Sequence, residues 1–108
     1  MLISDQAIQG ALRVLHEAPQ HLSVAVYDAR KAENMLKAVK SLEMKRHNSL
    51  SAAGQEREAY ASPAYKEAVE QDAIAGAALI ALKARIGAAQ TTIDVWRTES
   101  ATERASYG

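Results

Sequence analysis

Apolar and small residues in the last third of the chain recur at alternating steps of four and three. Ala75, Leu79, Leu82, Ile86, Ala89, Ile93, Trp96 and Ser100 fall on one stripe, which is the spacing of one face of a long helix and of a coiled-coil seam. Proline is absent after Pro63, so the pattern predicts one helix over about 63–104. At ~1.5 Å per residue it would be about 60 Å long. A compact domain of this size has a radius of gyration of only ~13 Å, so the seam must lie along another long helix, in the same chain or in a partner.

The first half carries two shorter patterns. Ser4 or Asp5 is placed to cap a short helix over about 5–17, with Ile8, Leu12 and Leu15 inward and Pro19 ending it. A second helix is predicted over about 21–47. Its stripe is Leu22, Ala25 or Val26, Ala29, Ala32, Leu36 and Val39, with Met35 and Leu42 beside it. Residues 48–62 read as a linker: Asn48, Ser49, Ser51 and Gly54 favour a loop, and Gln55 to Tyr60 suits a helical turn. Ser62 before Pro63 is a strong helix start, because Ser caps and Pro is tolerated at the first helical position. Gly76 and Gly87 sit inside the long helix at about 1 kcal/mol each relative to Ala. They are either tolerated surface glycines or, at Gly76, the mark of a closely approaching helix. The expected fold is all-α: a single domain, 1–108, built as an elongated, coiled-coil-like antiparallel helical hairpin with a short N-terminal helix. The second helix is too short to cover the whole seam, which predicts an oligomer joined through Leu79, Leu82, Ile86, Ile93 and Trp96.

Composition agrees with helices. Phenylalanine is absent, Trp96 and four tyrosines are the only aromatic residues, and alanine is abundant, which suits closely packed helices better than a β-sandwich. No cysteine is present, which removes disulfides and thiolate chemistry. The N-terminus has no basic flank before an apolar run, and Ala73 to Leu82 is shorter than the ~20 apolar residues a membrane span requires. The expectation is a soluble protein of the cytoplasm.

Candidate chemistry is sparse. His16, His21 and His47 have no metal-ligand spacing, no nucleophile elbow or phosphate loop occurs, and carboxylates such as Glu67 and Glu99 have Lys66 and Arg97 nearby as ion-pair partners. The sequence predicts no enzyme, no metal and no cofactor. Net charge is zero, yet it is unevenly spread. Arg30 to His47 holds six cations against two acids, and Glu56 to Asp72 holds five acids against two cations. Lys37, Lys40, Lys45 and Arg46 form a basic face that either binds phosphates or is a solvated surface with cations at a helix C-terminus. Trp96, beside Arg97, is either a core residue with its indole at the rim or a stacking platform for a base.

Two segments carry a resemblance. Gln55-Glu56-Arg57-Glu58-Ala59-Tyr60-Ala61 with Tyr65, and Val95-Trp96-Arg97-Thr98 followed by Ala101, Arg104 and Ala105, resemble a family of small helical proteins of tailed phages and prophages. Its members run from a lysine-rich helix through such a linker into a long helix ending in a V-W-R motif. The match covers roughly Arg30 to Ala105. The layout also resembles UvsY-type recombination mediators: a basic helix, a break and a long oligomerising helix. The resemblance implies a phage accessory protein of DNA recombination or replication, a homo-oligomer that binds single-stranded DNA or assists a recombinase, in the host cytoplasm. Lys37, Lys40, Lys45, Arg46, Arg57, Arg85 and Arg97 are the candidate contacts. The alternative is a helical adaptor or inhibitor of a host or phage protein, with no nucleic acid. Within the linker, Tyr60 and Tyr65 bracket the Ser62-Pro63 cap, and one of them is placed to staple it.

Overall fold

A computed structural model describes residues 2–107. The described chain is all-helical, in three elements: α1 (Asp5–Lys45), α2 (Ala52–Ala61) and α3 (Pro63–Tyr107). No helix among the described residues is long and apolar enough to cross a membrane.

α1 differs from expectation. The sequence predicts two helices with a stop at Pro19, whereas one helix runs through it. Pro19 lacks the N–H that would bond to the Leu15 carbonyl, and its ring crowds that carbonyl. Against this local cost stands a seam that keeps one phase across the proline. Ile8, Ala11, Leu15, Ala18, Leu22, Ala25, Ala29, Ala32, Leu36, Val39 and Glu43 step by three and four, and every one is buried or half-buried, while Pro19 itself faces outward. Breaking the helix would put the two halves of this seam out of register. Leu12, expected inside, is 51% exposed, and Ala11 takes the inward position. Ser4 is the cap: its Oγ accepts from the Ala7 N–H at 3.1 Å.

α3 follows its predicted seam. Tyr65, Ala68, Asp72, Ala75, Leu79, Leu82, Ile86, Ala89, Ile93, Trp96 and Ser100 are all buried or half-buried. Of the residues expected at an oligomer interface, Ile93 is buried within the single chain and Leu79, Leu82, Ile86 and Trp96 are half-buried. α1, at 41 residues, is longer than the helix expected over 21–47. A Cβ added at Gly76 or Gly87 would meet nothing within 4 Å, so no helix of the chain closely approaches either glycine.

The expected loop contains α2, which starts earlier than predicted. Ser51 caps it, its Oγ accepting from the Gly54 N–H at 3.2 Å. Gly54, read as a loop marker, lies in the first turn, where an added Cβ would sit 3.2 Å from Cβ of Leu50. Ser62 joins two helices. Its Oγ accepts from the Tyr65 N–H at 3.1 Å, capping α3 as expected, and donates to the Ala59 carbonyl at 2.7 Å, closing α2.

Contacts divide the chain into two compact units, Met1–Ser23 with Ile80–Gly108, and Val24–Leu79. In the first, Ile8 and Ala11 of α1 pack on Ala89 and Ile93 of α3, with Ile3, Val14, Leu15 and Trp96 around them. The Leu2 and Ile3 N–H groups donate to the two carboxylate oxygens of Glu99 at 3.0 and 3.4 Å. Within this unit the helices are antiparallel. Glu99 serves the N-terminal strand of chain here, and not Arg97 as its position suggests. The second unit holds the rest of α1, all of α2 and the start of α3, with Ala59 and Ala68 buried.

Candidate nucleic-acid interface

The basic residues on α1 are not equivalent. Lys37 is exposed, one helical turn from Glu33, with its Nζ 3.7 Å from that carboxylate. Two exposed side chains at this distance contribute little to stability and leave the ammonium accessible. Lys45 and Arg46 are exposed at the end of α1, where cations favour the helix dipole. Arg46 Nε lies 3.7 Å from Glu43, beyond hydrogen-bond reach. Glu43 is buried, at 7% exposure. It takes the seam position one heptad after Leu36, where an apolar residue is the rule.

Lys40 is committed elsewhere. Its Nζ donates to Tyr60 Oη at 2.9 Å and to Glu56 Oε1 at 3.0 Å, and Tyr60 Oη donates to the same Glu56 oxygen at 2.8 Å. Tyr60 in turn packs edge-on against Tyr65, with ring centroids 5.1 Å apart. This clasp ties the end of α1 to α2 and the first turn of α3. The Tyr60 hydrogen bond, then that of Glu56, holds the Lys40 ammonium above the ordinary lysine range. The Tyr60 hydroxyl, then Lys40, holds the Glu56 carboxyl below the ordinary range. Two of its three N–H donors are taken by Tyr60 and Glu56, which leaves one for a phosphate. Sequence reasoning put Lys40 on a face away from Val39 and so among the free cations. In the structure it borders the seam and is half-buried.

Of the other candidates, Arg57 is exposed on α2, and Arg85 and Arg97 are exposed on α3. Lys37, Lys40, Lys45, Arg46 and Arg57 belong to one compact unit, and Arg85 and Arg97 to the other.

A second feature lies wholly in the unit of Arg97. An open groove on the C-terminal part of α3 is lined by Trp96, Arg97, Ser100, Glu103, Arg104 and Tyr107. Trp96 is half-buried against the Ile8–Ile93 cluster and borders this groove as well. Arg104 stood out in the sequence only as part of the V-W-R segment and not as a contact, and Tyr107 was not singled out. The available signal was the seam itself, which continues from Trp96 to Ser100, Glu103 and Tyr107 at steps of four, three and four. Two guanidiniums and two aromatic rings on one helix face supply the donors and stacking surfaces that a flexible polyanion with exposed bases requires. Glu103 opposes such a ligand, leaving a local excess of one cation. Among the described residues no group of three or more His, Asp or Glu is placed to hold a metal.

Compared with known proteins, the chain matches no family model, no curated protein and no solved structure.

Proposed function

We propose that this chain is a non-catalytic accessory protein of phage-type DNA recombination or replication that binds single-stranded DNA, alone or while assisting a recombinase. The observation that carries the reading is the groove of Trp96, Arg97, Arg104 and Tyr107. Bases of a single strand stack on aromatic faces at ~1–3 kcal/mol each, and the two arginines meet the backbone. Lys37, Lys45 and Arg46 offer further phosphate contacts. Lys40 is the weakest of the candidate contacts, because its ammonium is already bonded to Tyr60 and Glu56.

Trp96 is the only tryptophan, so its fluorescence reports on the groove directly. Titration with a thymine oligonucleotide should quench it, and affinity should fall with rising salt, with log K linear in log salt, as condensed counterions are released. Arg97→Glu with Arg104→Glu should weaken binding more than tenfold while helicity is retained. Unchanged Trp96 fluorescence and no binding to a labelled single strand at low salt would refute the reading. The alternative, a helical adaptor or inhibitor of another protein, draws on a different observation: large apolar side chains left exposed on α1.

A further inference from the structure

α3 carries a second ordered face besides its seam. Ile80, Ala84, Gly87, Thr91, Val95 and Thr98 step by four, three, four, four and three, so they share one side of the helix. All six are exposed, and all belong to the unit formed by Met1–Ser23 and Ile80–Gly108. No charged residue stands on this line, although a helix face turned to water is normally polar. Its threonines spend their donors within the helix: Thr91 Oγ1 donates to the Gly87 carbonyl and Thr98 Oγ1 to the Asp94 carbonyl, each at 3.1 Å. At the middle of the line, Gly87 is costly inside a helix, and a Cβ there would meet nothing within 4 Å. No contact within the chain accounts for this glycine, whereas close approach of a second backbone does.

The two ends of the face complement each other in shape and in charge. Ile80, 70% exposed, is a protruding side chain at one end. At the other end lies a shallow hollow lined by Leu2, Thr91, Val95 and Thr98. Lys83 sits one turn from both Ile80 and Gly87, and Asp94 one turn from both Thr91 and Thr98, so the two border the same flank. Both are exposed. Asp94 accepts a hydrogen bond from Gln90 at 3.3 Å, and neither residue forms an ion pair among the described residues. They stand eleven residues apart, ~16 Å along the helix, and so cannot meet within one chain. Arg85 and Arg97 lie nearer the seam. The opposite flank carries Glu99, whose carboxylate accepts from the Leu2 and Ile3 N–H groups.

We propose that this face of α3 is covered by a second copy of the chain, in an antiparallel pair with two-fold symmetry. With the axis level with Ala89, Ile80 comes level with Thr98 of the second copy, Ala84 with its Val95 and Gly87 with its Thr91. Such an axis sets each flank against the same flank of the other copy, so each Lys83 falls level with the other copy's Asp94. A single rotation therefore seats Ile80 in the hollow, lets the backbones close in at Gly87 and forms the ion pair twice. On the other flank, Glu99 comes beside Ala81 of the second copy and meets no acid. The contact is isologous, so one pair of copies completes it. It uses neither the Leu82–Ile93 seam nor the Trp96 groove, and its test contains no nucleic acid.

Sedimentation over a range of micromolar concentrations should give a weight-average mass that rises from 11.7 kDa toward twice that value and stops there. Lys83→Glu alone and Asp94→Lys alone each put like charges together twice and should weaken association by about tenfold or more. Mixing these two variants should restore it, because the mixed pair has two opposite-charge contacts. Both positions are exposed, so helicity by circular dichroism should be unchanged. Gly87→Leu should remove association and yet raise helicity at high dilution, since leucine is the better helix former. A wild-type protein that stays at 11.7 kDa throughout overturns the proposal, whether or not it takes up an added helical peptide. So does a mixture of the charge variants that associates no better than either alone, or a Gly87→Leu protein that associates like wild type.

Discussion

Replacing Pro19 tests the continuity of α1 more sharply than any other single change. In a helix running from Asp5 to Lys45, Pro19 removes the hydrogen bond to the Leu15 carbonyl and sets its ring against it. Proline in a helix interior stands about 3 kcal/mol below alanine, and glycine about 1 kcal/mol below alanine. Pro19 faces outward, so no packing is lost with the ring. Pro19→Ala should therefore stabilise the protein by up to about 3 kcal/mol, and Pro19→Gly by about 2 kcal/mol. At roughly 4–8 °C per kcal/mol for a small domain, the alanine variant should melt up to ~12–24 °C higher. Urea and thermal unfolding, followed by circular dichroism at the helix band, measure both. Gln20→Ala, also exposed, is the control and should move stability by less than about 0.5 kcal/mol. The order Ala above Gly above Pro is the signature of a continuous helix. If Pro19→Ala leaves the midpoint unchanged or lowers it, the helix ends at Pro19, and the common phase of Leu15, Ala18, Leu22 and Ala25 has another cause.

Two further outcomes follow from local geometry. Ser62→Ala removes the acceptor for the Tyr65 N–H and one donor to the Ala59 carbonyl, which should cost about 1 kcal/mol in urea unfolding, while Ser62→Thr should recover most of it. An unchanged midpoint for the alanine variant would refute the cap. The clasp sets a pH dependence. Glu56 is held below its ordinary 4.5, so its contribution is complete above that value and lost as pH falls below it. Lys40 is held above its ordinary 10.5, so its contribution is complete below that value and lost as pH rises past it. Both groups are partly exposed, so the effect is small. Glu56→Gln should flatten the acid limb of the stability profile and leave its midpoint at neutral pH only slightly lower. An acid limb identical to that of wild type would show that Glu56 does not titrate with folding.

Much of the fold was legible because it rests on local and periodic signals. The three-and-four spacing from Ala75 to Ser100 identifies a helix and the face it covers without reference to anything else in the chain. Ser62-Pro63 identifies a helix start because a serine acceptor and a proline that needs no N–H suit only that position. The candidate site was legible only in part. Trp96 and Arg97 stood out as residue types, but Arg104 and Tyr107 join them only through the register of one helix face. Lys40 read as a free cation because the partner that holds it, Tyr60, lies 20 residues away.

What the sequence determined by itself is therefore the helical class, the phase of the α3 seam and the Ser62 cap, since each follows from interactions within a few turns of chain. Tertiary structure decided the rest. A periodic pattern says which face is covered but not what covers it, so only packing showed that Ala89 and Ile93 of the α3 seam are buried against Ile8 and Ala11 of α1. Proline has a fixed local cost but no fixed consequence, so only the seam shared by the residues on both sides of Pro19 decided that α1 continues. Charge pattern gives a net sign and not the pairing. Only the approach of α2 to the end of α1 turned Lys40 into a clasp and left Lys31, Lys37, Lys45 and Arg46 exposed.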